Sequence, residues 1–247
     1  MGVMTLQAIA DCIGAWAPWE TAESWDNVGI LVDAGRSVTG VLCALDITDR
    51  AIECARTAGA SVIVSHHPVI FHPLKKLSAA DLPARLIQAG VSAVCAHTNL
   101  DRASGGVCDT LAQAIGLQRV KAAGDFLRVG SLPGAVTAQT FAEQVGKALG
   151  TRVQFTCGDR PVHTVGVVSG AGGDFFEQAA SAGCDCLVTG EAGHHDALDA
   201  ARLGVALIAA GHHATEKLIV PVLCRKLKEA FPQLNVSAYE EADPFAG

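Results

Sequence analysis

A chain of 247 residues, half of them apolar, is long enough to bury one large core or two smaller ones. Its formal charge of −7 excludes nucleic-acid binding through a broad basic surface, though not a small anionic substrate held by a metal. Aromatics are only 5%, so Ala, Val, Leu and Gly fill the interior, which fits α/β layers better than a β-sandwich. The nine cysteines form no C-x-x-C pair and lie mostly in apolar runs. They read as reduced core residues, which points to a cytoplasmic protein. No leader pattern opens the chain and no apolar run reaches membrane-spanning length, so no membrane association is expected.

Leu6, Ile9, Ala10, Ile13 and Trp16 recur at helical spacing, predicting a helix within 4–16 that Pro18 ends. Residues 23–29, which include Trp25, Asp26 and Asn27, predict a loop before a strand at 30–32. There Trp25 reads as an aromatic anchor, and Asp26 as turn chemistry or as a group standing behind a ligand. Residues 41–46 predict a strand ending on Asp46, with Thr48 and Asp49 capping a helix over about 50–57. Residues 60–64 are short, apolar and β-branched, a buried strand that stops at Ser65. His66 and His67 follow at once, and Pro68 blocks further pairing.

A helix over 81–89, closed by Gly90, leads to a strand over 91–96 that delivers His97-Thr98-Asn99-Leu100-Asp101. A helix over 107–115 comes next. This rhythm implies βαβ units and a mostly parallel sheet. Gly124, Gly130, Pro133 and Gly134 mark a break, with Pro-Gly as a turn and a domain junction near 124–128. A helix over 138–149 and a strand over 153–155 follow. The rhythm then resumes with a strand over 164–168, a Gly-rich turn at 170–173, a helix over 175–182 and a strand over 185–188. The expected division is a discontinuous first domain, 1–125 plus 205–247, and a second domain, 126–204.

The two halves resemble each other. Residues 58–65 match 182–189 at an offset of 124; each run goes from Ala-Gly through a strand to Ser or Thr. Residues 89–97 echo 203–212 with one extra residue, so His97 faces His212 and Asp101 faces Glu216. Both halves therefore carry H-x-x-x-[DE], whose side chains share one face of a helix. Pro221 leaves open that a regular helix begins only there and that Glu216 lies in a turn.

Together His66, His67, Asp101, His212 and Glu216 mix imidazole and carboxylate without thiolate, a set suited to Zn, Fe, Mn, Co or Ni. Adjacent histidines project differently and feed two ions more naturally than one, and a bidentate glutamate can bridge such a pair. The alternative is three unrelated polar loops. By the repeat, His97 is equivalent to His212 and so a ligand. His194 and His195 have no carboxylate at matching spacing beyond Asp199 and read as cavity or interface residues. His72 and His163 read as surface or loop residues.

Residues 25–29, Ser65-His66-His67-Pro68, residues 97–101, Thr189-Gly190-Glu191 and residues 211–216 form, in order, a set that resembles the GTP cyclohydrolase 1 type 2 homologues, the dinuclear-metal-centre hexameric proteins. Each piece is weak alone; the ordered set spans nearly the whole chain. The resemblance implies two interlocked, similar α/β repeats with mostly parallel sheets, a metal site between them, and a homohexamer with metals facing an inner cavity. It implies two divalent ions on His66, His67, Asp101, His212 and Glu216, with His97 orienting Asp101 or a water rather than ligating. His213 is not implied as a ligand. The chain looks like the short form, without room in 121–162 for an inserted domain.

Two functions follow as expectations. In the first, the chain is a metal-dependent hydrolase acting on a small molecule or nucleotide; the activity the resemblance implies is opening the purine ring of GTP. No P-loop and no G-x-G-x-x-G after a strand marks a triphosphate site. In the second, the assembly is a non-enzymatic metal-binding or protein-interaction scaffold. Nucleic-acid binding is disfavoured by the acidic charge.

Overall fold

The computed structural model of the protein describes residues 4–245. In chain order its elements begin with α1 (Leu6–Trp16), β1 (Gly29–Val32), β2 (Gly40–Ala44), α2 (Asp49–Thr57), β3 (Val62–Ser65), α3 (Leu82–Ala89), β4 (Ser92–Cys95), α4 (Thr98–Arg102) and α5 (Val107–Ala114). They continue with β5 (Gln118–Ala122), β6 (Arg128–Thr137), α6 (Ala138–Leu149), β7 (Gln154–Phe155), β8 (Pro161–Val167), α7 (Phe176–Ser181) and β9 (Cys186–Thr189). Last come α8 (His194–Arg202), β10 (Ala206–Ala209), α9 (His212–Glu216), α10 (Ile219–Ala230) and β11 (Asn235–Ala238). None of the described helices is long and apolar enough to cross a membrane. The nine cysteines form no disulfide.

The chain divides into two compact α/β units. One comprises the residues up to Ser104 and those from Ile219 onward; the other is Gly105–Leu218. These boundaries differ from the expected ones at 125/126 and 204/205. The reason is pairing at a distance: β10 is hydrogen-bonded to β9, and α5 packs on β5, β6 and β8, so both belong to the second unit.

The first unit is a five-stranded sheet in the order β1-β4-β3-β2-β11. Strands β2, β3 and β4 are buried along their whole length, which is why they read as continuous apolar runs. They and β11 pair in parallel, and β1 closes the edge antiparallel to β4. Helices α1 and α2 start where the sequence places a threonine cap: Thr5 Oγ1 accepts from Ala8 N and Thr48 Oγ1 from Ala51 N. Leu42, Ile63, Ile52 and Leu86 fill this core, each contributing roughly 1.5–3 kcal/mol by leaving water. Register sets Ala44, Ser65 and Cys95 side by side. The loops that follow them therefore carry Asp46, His66 with His67, and His97 to one end of the sheet, the carboxyl end of its parallel strands.

The second unit is a six-stranded sheet, β5-β6-β8-β9-β10-β7. Its centre, β8-β9-β10, is parallel, and β5, β6 and β7 pair antiparallel. Phe141, Val145 and Leu149 of α6 pack with Val165, Val167 and Ile208. The break expected near 124–128 is a hairpin instead, closed by Ala123 N donating to Leu127 O at 2.9 Å. Pro133-Gly134 is not a turn: both lie within β6, where the register against β8 slips between Ser131 and Val136. An irregular stretch tolerates a residue without an N–H.

Candidate metal centre

In the first unit the ends of β3 and β4 bring four donors together. His66 is fully buried, and its Nδ1 donates to Ala96 O at 2.9 Å. A carbonyl can only accept, so a proton sits on Nδ1, which leaves Nε2 as the nitrogen that could meet a cation. His67 Nδ1 meets Asp46 Oδ1 at 2.8 Å, and His97 Nδ1 meets Asp26 Oδ1 at 2.9 Å. Ring nitrogens of His66, His67 and His97 lie within 4.8 Å of one another. Asp101 Oδ1 stands 3.5 Å from His66 Nε2, on a side chain only 12% exposed. Helix α4 places it there, with Asp101 N donating to His97 O at 3.0 Å.

Asp26 anchors this group. Its side chain is wholly buried. Oδ2 accepts from Thr98 N at 3.0 Å and from Thr98 Oγ1 at 2.5 Å. Burial alone would raise its pKa; the hydrogen bonds from His97 and Thr98 outweigh it and hold the carboxyl well below the ordinary range.

The second unit holds a smaller group of its own. Helix α9 spans His212–Glu216, so the four-residue spacing is helical as H-x-x-x-E requires. Pro221 lies in the first turn of α10, where no intrahelical N–H is needed. His212 Nε2 is 2.9 Å from Glu216 Oε2, and its Nδ1 is 3.1 Å from Glu191 Oε1. Glu216 is 3% exposed, so the His212 imidazole beside it is one of the polar neighbours that its burial requires. Its carboxylate lies over Gly170: a Cβ at that position would come within 2.2 Å of Oε1. Thr215 Oγ1 accepts from Gly170 N at 3.2 Å, fixing the approach.

The remaining histidines stand apart from these groups. His194 and His195 are exposed in the first turn of α8, their rings 5.5 Å apart. His72 and His163 are exposed, and His213 is buried in α9. Sequence reasoning passed over Asp46 as a partner of His67 and Glu191 as a partner of His212. The signal was available: Asp46 sits two residues past β2, level with the histidine pair, and Glu191 sits at the repeat position of His67.

His66, His67, His97 and His212 thus each turn Nδ1 to a carbonyl or carboxylate, the arrangement that orients metal-ligating histidines and raises their basicity. With that geometry stands the relationship to known proteins. The profile of Duf34/NIF3 (NGG1p interacting factor 3) matches residues 4–244. The chain belongs to the Duf34/NIF3 family. This NIF3-family chain is 30% identical to a GTP cyclohydrolase 1 type 2 homolog of Clostridium acetobutylicum, over 95% of the chain and 93% of the relative. It is 29% identical to the homolog of the same name from Clostridium perfringens, over 98% and 99%. Among solved structures it superposes on a Staphylococcus aureus protein with a TM-score of 0.92 at 27% identity, covering both chains fully.

Proposed function

We propose that this NIF3-family protein is a metal-dependent hydrolase. It holds two divalent cations on His66, His67, Asp101, His212 and Glu216. The observation that carries the reading is the common tautomer: His66, His67 and His97 each have Nδ1 engaged by Ala96 O, Asp46 or Asp26. With Nδ1 so engaged, Nε2 is the nitrogen through which each ring would meet a cation, and His66 Nε2 lies 3.5 Å from Asp101 Oδ1. An imidazole and carboxylate set without thiolate fits Zn, Fe, Mn, Co or Ni. Cations there supply Lewis acidity, lowering the pKa of water toward neutrality and polarising an electrophilic carbon.

The protein's own residues do the rest. Asp46 and Glu191 hold the rings of His67 and His212. His97, backed by Asp26, accepts a proton at Nε2 as general base rather than ligating. The names of the clostridial relatives make GTP the first substrate to try. The resemblance further supports a homohexamer, and cysteines without disulfides support a cytoplasmic location.

The test is calorimetry with Mn²⁺ and elemental analysis, followed by incubation of the loaded protein with GTP. The expected result is two ions per chain, fewer in Glu216→Ala, and ring-opened product that His97→Ala loses while keeping its metal. Failure to retain any of the five metals overturns the site. Intact GTP after incubation with loaded protein overturns that substrate. Sedimentation at six times the chain mass is the result expected for the assembly.

A further inference from the structure

We propose that Trp25 and Phe71 form a stacking platform for a planar heteroaromatic ring of the substrate. This rests on the metal-centre reading above and names the substrate class of that site. Both rings stay exposed, at 57% and 42%. They lie together, with centroids 5.7 Å apart and planes inclined by 42°. Trp25 meets His97 edge-on at 6.2 Å, and Phe71 meets it edge-on at 6.3 Å. His97 is in turn 5.6 Å from His67 and 5.2 Å from His66. A continuous series of rings therefore runs from solvent to the fully buried His66.

The exposed pair is held by polar ties in the backbone around it. The neighbour of Trp25 in sequence, Asp26, is the wholly buried carboxylate gripped by His97 and Thr98. Asn27 Nδ2 donates to Ile70 O at 2.6 Å, joining the Trp25 loop to the residue before Phe71. Two large rings are thus kept in water at fixed positions beside the donor group, although each would gain by burial. A platform fixed in advance loses little entropy when a ligand covers it. An aromatic surface of this kind accepts flat π-systems in offset or tilted stacks, which cover more of its face than a ribose ring does.

Binding is measured by calorimetry on the full-length, metal-free protein with guanosine and pterin, using ribose as the non-aromatic control. The expected result is binding of the planar ligands but not ribose. Trp25→Leu and Phe71→Leu each weaken it about tenfold or more. Trp25→Phe restores most of the affinity, and Mn²⁺ binding stays within about twofold of the parent in all three, as a platform separate from the ligands requires. Circular dichroism reports whether each variant is folded, and the Phe replacement keeps the test open if a Leu replacement is not. Equal binding of ribose, unchanged nucleoside affinity in the folded variants, or no binding of either planar ligand overturns the proposal. So does a change of sedimentation coefficient in the variants, which would make the patch a contact between copies. Loss of the metal reading alone appears differently: planar ligands bind through Trp25 while Mn²⁺ does not bind.

Discussion

Asp46, His66 and His67 of the first unit occupy the register positions that Gly170, Gly190 and Glu191 occupy in the second. The correspondence follows from strand pairing: Val41 pairs with Val62 as Val165 pairs with Cys186, at a constant offset of 124 residues. One backbone frame is used in two ways. The first unit presents side chains at the strand ends. The second has glycine at two of the three positions, Gly170 and Gly190, because the backbone and the α9 carboxylate need the space. A Cβ on Gly190 would lie 2.6 Å from Gly170 O and 2.9 Å from His212 Cα. The orienting carboxylate also changes strand: Asp46, past β2, serves His67, and Glu191, past β9, serves His212. The two units thus share a strand frame and differ at its ends, where the second has glycine at two of these three positions.

The largest effects come from exchanging characters at one position. His66→Ala removes a donor and is expected to lower Mn²⁺ affinity by more than about 100-fold, beyond the usual loss for an orienting residue. Gly190→Ala adds one carbon against backbone that cannot yield and is expected to cost about 1–3 kcal/mol in urea unfolding. A Gly190→Ala protein as stable as the parent would break the comparison. Gly170→Ala comes next. Its φ of +60° disfavours a side chain, and the new Cβ displaces Glu216 Oε1. Calorimetry should show weakened Mn²⁺ binding with a stability loss of about 1–2 kcal/mol.

Asp46→Ala and Glu191→Ala sharpen the comparison, since both release an imidazole without removing a ligand. Each is expected to lower metal affinity about 10–100-fold. Asp46→Ala should have the larger effect, because its contact is 2.8 Å against 3.1 Å. The smallest effect concerns pH. Asp26 titrates lower in the folded protein than in the unfolded chain. Its stabilisation is therefore complete above the ordinary carboxylate pKa of about 4 and is lost as pH falls below it. Asp26→Asn should lower stability at neutral pH and flatten the acid limb of a stability profile below about pH 4. A parallel downward shift of the whole profile would show that Asp26 acts through shape and not charge.

Much of this was legible in the residues. The apolar runs at Val62–Val64 and Cys186–Val188, the Thr48 cap, and the H-x-x-x-[DE] pairs each express a local rule, and local rules read directly from sequence. Tertiary structure decided the rest. Pro133-Gly134 carries turn chemistry yet lies in a strand, because β8 pairs on both sides of it. The unit boundaries moved to 104/105 and 218/219 because hydrogen bonds between distant strands and the packing of α5 outweigh composition at the breaks. The imidazole tautomers also lay beyond sequence. Ala96 O, Asp46 and Asp26 reach their histidines only when four strand ends, those of β1 to β4, come level, and that register is a property of the paired sheet.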